Sequence, residues 1–156
     1  MKRFTWILLA CLTASPVVAG DLATDALALI NQHRAAAGCG PLRQQSQLIA
    51  AATGHANAMA KQDFYSHASK GGGQSDRRMR AHGYSARMTG ENIAAGQKTA
   101  AAVVQSWMDS TGHRRNILNC RYTETGLAVA YQADDKPIQG NSQPLYYYWV
   151  QDFGRP

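Results

Sequence analysis

The sequence has few of the residues and motifs that mark redox, phosphate-binding or repeat proteins. Its 156 residues include three cysteines and no C-x-x-C pair, which argues against a dithiol redox centre or a zinc knuckle. The motifs H-E-x-x-H and G-x-S-x-G are missing, which excludes a standard zincin and a hydrolase with a nucleophile elbow. No phosphate loop, dinucleotide fingerprint, heptad or internal repeat occurs. The short chain and the absence of repeats indicate one small domain with a single hydrophobic core.

Long apolar runs are confined to the N-terminus. Lys2 and Arg3 precede an apolar stretch, and small residues follow it up to Ala19, which is the layout of a secretory signal peptide over residues 1–19. The stretch is shorter than the roughly 20 residues that a transmembrane helix needs. A lipoprotein signal ending at Cys11 is the rival interpretation. We expect a soluble, exported mature chain over residues 20–156, either secreted or periplasmic, with no transmembrane segment.

Acidic residues are scarce: 10 Asp and Glu stand against 16 Lys and Arg, a net charge of +6. Removing Lys2 and Arg3 leaves 14 basic residues against 10 acidic ones, or +4. The basic residues are scattered and lack aromatic interleaving, so no nucleic-acid partner is expected. Cys39 and Cys120 remain after processing, and an even count in an exported chain predicts one disulfide between them.

The order of elements indicates an α+β fold. Apolar spacing predicts four helices, over residues 21–37, 44–62 and 75–82 and from the capping residue Thr99 to Gly112. Two segments rich in Val, Tyr and Trp near the C-terminus, "TGLAVAYQ" and "LYYYWVQDF", predict two strands joined by a long loop. "ENIAAG" is too short for periodicity to assign and is expected to form a short extended piece or a turn.

Five histidines are candidate functional residues, and their settings separate them. His33 and His55 lie on the apolar sides of predicted helices, which is typical of packed histidines. His82 stands at a predicted helix end, where a cation favours the helix dipole. His67 and His113 each follow the end of a predicted helix, where functional groups are commonly displayed.

Glu91 is the acidic residue with the most unusual setting, in "TGENIAAG". It either caps local backbone amides or belongs to a site, and the sequence leaves both interpretations open. Hydroxyls precede two of the histidines, in Ser66–His67 and Ser110…His113, but no acid is placed to orient such a pair.

Six segments in order resemble the CAP (SCP-like) superfamily, which includes cysteine-rich secretory proteins, antigen 5 and plant pathogenesis-related proteins. They are "LINQHRAAAGCGPL", "HANAMAKQDFYSH", "GENIAAG", "SWMDSTGHRRNIL", "TETGLAVAY" and "YYYWVQDFG". The likeness is greatest to the small bacterial branch and covers essentially the whole mature chain.

The resemblance implies an α-β-α sandwich with a small central antiparallel sheet and a large cleft. It places His67, Glu91 and His113 in that cleft, where the histidines can hold a divalent metal, and Gly112 is expected to turn His113 inward. The fourth family residue, a glutamate after the tryptophan, is replaced here: Asp109 or Ser110 stands nearby.

Three functions are compatible with this pattern. The first is a monomeric binding module with a metal-capable His/Glu cleft, which holds Zn²⁺ or another divalent ion weakly and takes an unknown small-molecule, lipid or envelope ligand. The alternative is a metal-dependent hydrolase of peptidase or esterase type, with Glu91 and Asp109 as candidate catalytic residues. The third is a structural domain whose histidines only pack.

Overall fold

A four-stranded sheet between two helical layers forms the fold, which confirms the predicted α+β class and the α-β-α sandwich. The computed structural model describes residues 22–138 and 140–156. Its strands are arranged in the order β1-β3-β4-β2. Along the chain the elements are α1 (Leu22–Ala36), β1 (Arg43–Gln44), α2 (Ser46–Lys61), α3 (Ser75–Ala81), β2 (Met88–Ala95), α4 (Ala100–Asp109), α5 (Thr111–Ile117), β3 (Glu124–Tyr131) and β4 (Tyr147–Arg155).

The sheet is antiparallel except at one edge. Strand β3 pairs with β4 and β4 pairs with β2 in antiparallel register, whereas the two-residue β1 pairs parallel with β3. Strand β1 is too short for a sequence pattern to reveal. The opposite edge of the sheet is β2, and this edge carries the candidate site.

Two apolar cores separate the sheet from the two helical layers. Successive strand residues point to opposite faces, so Ile93 and Val150 pack against α2 while Ala94 and Trp149 pack against α1 and α4. Because α2 and α3 lie on one face and α1, α4 and α5 on the other, residues from both layers can meet only around an edge of the sheet.

Most predicted elements are confirmed to within two residues at their ends. The hydroxyl of Thr99 accepts a hydrogen bond from the backbone N–H of Ala102 at 3.1 Å, which confirms Thr99 as the N-cap of α4. The two C-terminal strands are present as β3 and β4.

The region around Gly112 differs from its prediction. Helix α4 ends at Asp109, Ser110 has an extended backbone (φ −88°, ψ 122°), and a new helix, α5, contains both Gly112 and His113. Gly112 is not among the glycines with positive φ. The expectation that Gly112 ends the helix and turns His113 inward is therefore wrong: the chain bends at Ser110, and the direction of α5 orients His113.

"ENIAAG" is extended, the first of its two predicted alternatives: residues 91–95 form the second half of β2, and Gly96 follows the strand. This strand runs beside β4 over its full length, from Met88 opposite Arg155 to Ala95 opposite Tyr148. Glu91, Asn92, Ile93 and Ala94 are all buried. The alternation that reveals a half-exposed strand is therefore missing, and the sequence pattern does not identify β2.

One disulfide joins Cys39 and Cys120, with Cα atoms 4.9 Å apart, as predicted. It links the segment after α1 to the segment after α5. The predicted leader, residues 1–19, lies outside the described residues. Within residues 22–138 and 140–156, no helix is both long and apolar enough to cross a membrane.

Candidate functional site

Glu91 occupies the centre of a buried polar cluster on β2. Its side chain is only 2 % exposed, and its two carboxylate oxygens have different partners. Oε1 lies 2.7 Å from Nδ1 of His67, and Oε2 accepts a hydrogen bond from Nη2 of Arg78. Both carboxylate oxygens of Glu91 are therefore bonded to side chains from other segments, His67 and Arg78, and not to backbone amides.

Arg78 fixes the loop that carries His67. Its Nη1 donates to the backbone oxygen of His67 at 2.8 Å, to the hydroxyl of Ser69 at 3.2 Å and to the backbone oxygen of Gly73 at 3.3 Å. One guanidinium from α3 thus holds both the glycine-rich loop and the Glu91 carboxylate. The imidazole of His67, half exposed, is left with Nε2 as its second donor position.

Asp152 lies on β4 directly opposite Glu91 in the strand register. It is fully buried, its ionised form has no hydrogen-bond donor among the described residues, and its protonated form can donate to Glu91. Burial raises the pKa of this carboxyl group well above its usual value, the negative charge of Glu91 adds to the effect, and Arg78 opposes it. Asp152 therefore favours its neutral form.

His113 approaches the same edge of the sheet from the opposite helical layer. Burial lowers the pKa of its imidazole, and the nearby His67 lowers it further. His113 borders a cavity of about 180 Å³ whose other polar lining residues are Tyr65, Gln97, Ser106 and Asn141. His67 is therefore near enough to His113 to influence its pKa and is bonded to Glu91, although neither His67 nor Glu91 lines the cavity that His113 borders.

Side chains from both layers cap the outward carbonyl groups of β2 and so shape the cleft. Tyr122 donates to Thr89 O at 2.9 Å, and Asn116 donates to Glu91 O at 3.2 Å. Further along, Ile93 O accepts from the hydroxyl of Tyr65 and from the indole of Trp107, both at 3.1 Å. Because these carbonyl groups are already bonded to side chains, another strand cannot pair with this part of β2, and side chains cover the edge instead.

Two amide side chains position α5 against β2. Asn92 Nδ2 donates to His113 O at 3.2 Å, and Asn116 Nδ2 donates to Asn92 Oδ1 at 2.9 Å. The placement of His113 therefore depends on Asn92, the residue that follows Glu91 and points to the opposite face.

The structure places neither Asp109 nor Ser110 at the cleft cavity. Asp109 is exposed at the end of α4, where its Oδ1 accepts a hydrogen bond from Gln105 Nε2 at 2.9 Å. Ser110 forms the bend before α5. Ser106, one turn earlier, lines the cavity beside His113.

The described residues offer no set of three metal ligands at this site. Among residues 22–138 and 140–156, no three His, Cys, Asp or Glu side chains lie close enough together to hold a metal ion. The Glu91 carboxylate is already engaged by Arg78 and by Nδ1 of His67, the arrangement in which a carboxylate orients a metal-binding histidine from behind. Nε2 of His67 and the ring of His113 are the donors left.

His55 is a packed histidine, as its position on α2 predicts. It is 1 % exposed, and its Nε2 donates to Ser66 O at 2.8 Å. Burial, and then the charge of Arg78, lower the pKa of this imidazole. This bond fixes the backbone of Ser66, the residue before His67, so His55 helps to hold His67 in place.

Tyr65, Arg78 and Asp152 are among the residues of the site that were not identified from the sequence. Asp152 had a signal, because it is a charged residue inside the apolar strand "YYYWVQDF". Arg78 lies in the basic run "DRRMR", where nothing in the sequence distinguishes it from its exposed neighbours.

Comparisons with known proteins agree with this fold. The profile described as the cysteine-rich secretory protein family, CAP, matches residues 27–153. The chain is 35% identical to the uncharacterized protein YkwD of Bacillus subtilis over 115 residues, which is 74% of this chain and 45% of YkwD. It is 33% identical to the uncharacterized membrane protein YlbC of the same organism over 103 residues, 66% of this chain and 30% of YlbC. The chain thus spans less than half the length of these curated relatives.

Two solved structures are similar in fold. An extracellular protein from Bacillus anthracis that contains an SCP domain superposes with a TM-score of 0.72 at 26% identity, over 86% of this chain and 40% of that one. An outer surface protein of Borrelia burgdorferi gives a TM-score of 0.74 at 20% identity, over 86% of this chain and 95% of that one.

Proposed function

Because the chain belongs to the cysteine-rich secretory protein (CAP) family, we propose that it is an extracytoplasmic binding module whose ligand enters the cleft at His67, Glu91 and His113. The similar solved proteins are described as extracellular and as an outer surface protein, which supports an extracytoplasmic location for this chain. The predicted leader over residues 1–19 supports the same location.

The contact between Glu91 and His67 carries this proposal. A carboxylate that is almost fully buried is costly unless it is paired, and here the pairing holds one imidazole at the mouth of a cleft. Glu91 orients His67 through Nδ1, which directs the remaining ring nitrogen away from the cluster. The result is a fixed, half-exposed hydrogen-bond or metal donor.

The same contacts favour binding over hydrolysis. A general base must reach a proton on water or substrate, but both oxygens of Glu91 are already occupied by Arg78 and His67. Asp109, the other candidate, is exposed on α4 and bonded to Gln105. A metal-dependent hydrolase would need a base that these carboxylates do not supply.

We further propose that the cleft holds Zn²⁺ or another divalent ion weakly, through His67 Nε2 and His113. Imidazole suits zinc and copper, and two protein donors leave positions open for an exogenous ligand. When bound, the ion would supply a coordination point for an oxygen or nitrogen atom of that ligand. The low pKa of His113 keeps its ring neutral and able to coordinate.

Calorimetric titration with zinc tests the site. We compare the wild type with His67→Ala and His113→Ala at slightly alkaline pH, where imidazoles are neutral. Each substitution removes one of two donors, so zinc affinity should fall roughly tenfold or more. His82→Ala is the matched control, because His82 is exposed at the end of α3 away from the cleft cavity. Wild-type affinity in both cleft variants would show that the two histidines only pack.

A further inference from the structure

A second ligand-sized depression surrounds Tyr131, at the end of β3. A cavity of about 260 Å³ is lined by Lys98, Tyr131, Tyr146 and Tyr147, and one of about 370 Å³ is lined by Tyr131 together with Asn57, Lys61, Gln132 and Asp134. Both cavities are lined by Tyr131, and together we call them the tyrosine groove. It shares no lining residue with the cavity beside His113.

The aromatic floor of the groove is open to solvent. Tyr131 is 60% exposed, which is high for a large side chain with an apolar ring. It stands directly opposite Tyr147 in the β3–β4 register, with ring centroids 4.9 Å apart and planes inclined at 48°. This pairing fixes the Tyr131 ring while its outer face remains available for stacking.

Tyr146 adds a third ring and does so from a strained backbone. Its φ of 63° lies in the left-handed region, which is strained for a bulky residue and persists only where surrounding contacts hold it. Buried Asp135 provides such contacts, because its Oδ2 accepts hydrogen bonds from the N–H groups of Leu145 and Tyr146, each at 2.8 Å. Gln132 N–H donates to Tyr146 O at 2.9 Å. The loop is thus held in a conformation that lines the groove with the ring of Tyr146.

The chemistry of the groove matches an acidic sugar polymer. A pyranose ring offers a face of C–H groups that can stack on an aromatic ring, and a rim of hydroxyls that can bond to amides such as Asn57 and Gln132. The two lysines, Lys61 and Lys98, outnumber the one lining carboxylate, Asp134. We propose that the tyrosine groove binds a glycan that carries carboxylate groups, with one sugar stacked on Tyr131.

The surroundings favour a glycan over a membrane surface. Insertion into a bilayer interface needs a set of apolar side chains on one face. Among the described residues, only Tyr65 and Tyr131 are large apolar side chains with high exposure, and Tyr65 belongs to the cleft. The inference goes beyond the metal-capable cleft and does not depend on it.

Calorimetric titration with hexagalacturonate, an acidic hexasaccharide, tests the groove, with maltohexaose as its neutral counterpart. Hexagalacturonate should bind more tightly than maltohexaose. Tyr131→Ala and Tyr146→Gly should each weaken its binding about tenfold, or about 1.4 kcal/mol. Glycine adopts positive φ without strain, so Tyr146→Gly removes the ring while keeping the loop foldable. Lys98→Ala should weaken binding of the acidic sugar and leave the neutral one unchanged.

Tyr65→Ala is the matched control, because it removes an exposed tyrosine from the cleft and should leave the affinity for hexagalacturonate unchanged. The proposal is overturned if hexagalacturonate shows no binding at millimolar concentration, if maltohexaose binds as tightly, or if Tyr131→Ala binds like the wild type. Binding to phosphatidylglycerol vesicles without binding to hexagalacturonate would assign the groove to a membrane surface instead. Zinc affinity is measured separately, so failure at the cleft and failure at the groove are distinguishable.

Discussion

At the scale of single residues, the site contains two buried carboxyl groups but one neighbouring arginine in the described part of the chain. Glu91 and Asp152 lie opposite each other on adjacent strands, and the guanidinium of Arg78 is bonded to Glu91 alone of the two. Glu91 has Arg78 and His67 as partners, whereas no donor among the described residues is bonded to Asp152, whose protonated form can itself donate to Glu91. Keeping a carboxyl group protonated at a pH where the unfolded chain would ionise it costs stability, so the burial of Asp152 lowers the stability of the fold.

Asp152→Asn should make stability less dependent on pH. The native pKa of Asp152 is raised, so above the ordinary carboxyl pKa the unfolded chain releases a proton that the native state keeps. Wild-type stability therefore falls as pH rises from that ordinary value up to the raised native pKa, by at most about 1.4 kcal/mol per pH unit. The asparagine variant has no such titrating group. Its free energy of unfolding, relative to that of the wild type, should therefore increase with pH over that interval.

Urea unfolding of both proteins across the acidic to neutral pH range measures this difference in the free energy of unfolding. Asp109→Asn serves as control, because Asp109 is exposed and its replacement should give no such trend. A difference between Asp152→Asn and wild type that stays constant with pH would contradict the argument.

At the scale of elements, close packing of α2 on β3 requires a residue without a side chain. A Cβ atom built on Gly126 would collide with the backbone of Leu48 and Ile49. Leu48 and Ile49 lie in the first turn of α2, where their backbone atoms cannot shift without moving the helix, so the contact fixes the distance between this end of α2 and the sheet. Gly112, by contrast, lies in α5 with nothing within 4 Å of a built Cβ.

Alanine at these two glycines should have opposite effects on stability. Gly126→Ala should lower the free energy of unfolding by about 2 kcal/mol or more, because it overpacks a core that cannot relax. Gly112→Ala should raise it by up to about 1 kcal/mol, because alanine favours a helix and meets open space. Guanidinium unfolding of the two variants checks both signs. Destabilisation by Gly112→Ala would indicate that this glycine forms a turn and not part of α5.

At the scale of the whole molecule, one covalent link and one buried arginine hold the first and fifth helices together. The disulfide closes a loop with a sequence separation of 81, which in the chain-entropy model contributes about 4 kcal/mol. Beside it, Arg34 donates to the backbone oxygens of Gly40, Ile117, Asn119 and Tyr122. Because α5 carries His113, these contacts also stabilise one wall of the cleft.

Export should yield a chain that begins at Gly20 and contains this disulfide. The layout of residues 1–19 predicts cleavage after Ala19, and a disulfide persists in an oxidising compartment. The intact mass of protein recovered from outside the cytoplasm should equal that of residues 20–156 less two hydrogens. A retained N-terminus, a lipid on Cys11 or two free thiols would each contradict this prediction.

The sequence by itself determined the order of the long elements, the cap at Thr99 and the pairing of Cys39 with Cys120. Those features follow from local spacing, from a hydroxyl three residues before its amide, and from an even count of thiols. Resemblance to a family also singled out His67, Glu91 and His113, but it could not say which of them touch.

Only the tertiary structure decided that His67 and Glu91 are bonded while His113 stands apart on a different layer. The reason is geometric: adjacent residues of β2 point to opposite faces, so Glu91 joins the α2–α3 layer and Asn92 holds α5 from the other side. Arg78 and Asp152 belong to the site for the same reason, since α3 and β4 meet β2 only in the folded chain. Contacts between segments so far apart along the chain leave no periodic signal in the sequence, and only the packed sheet shows them.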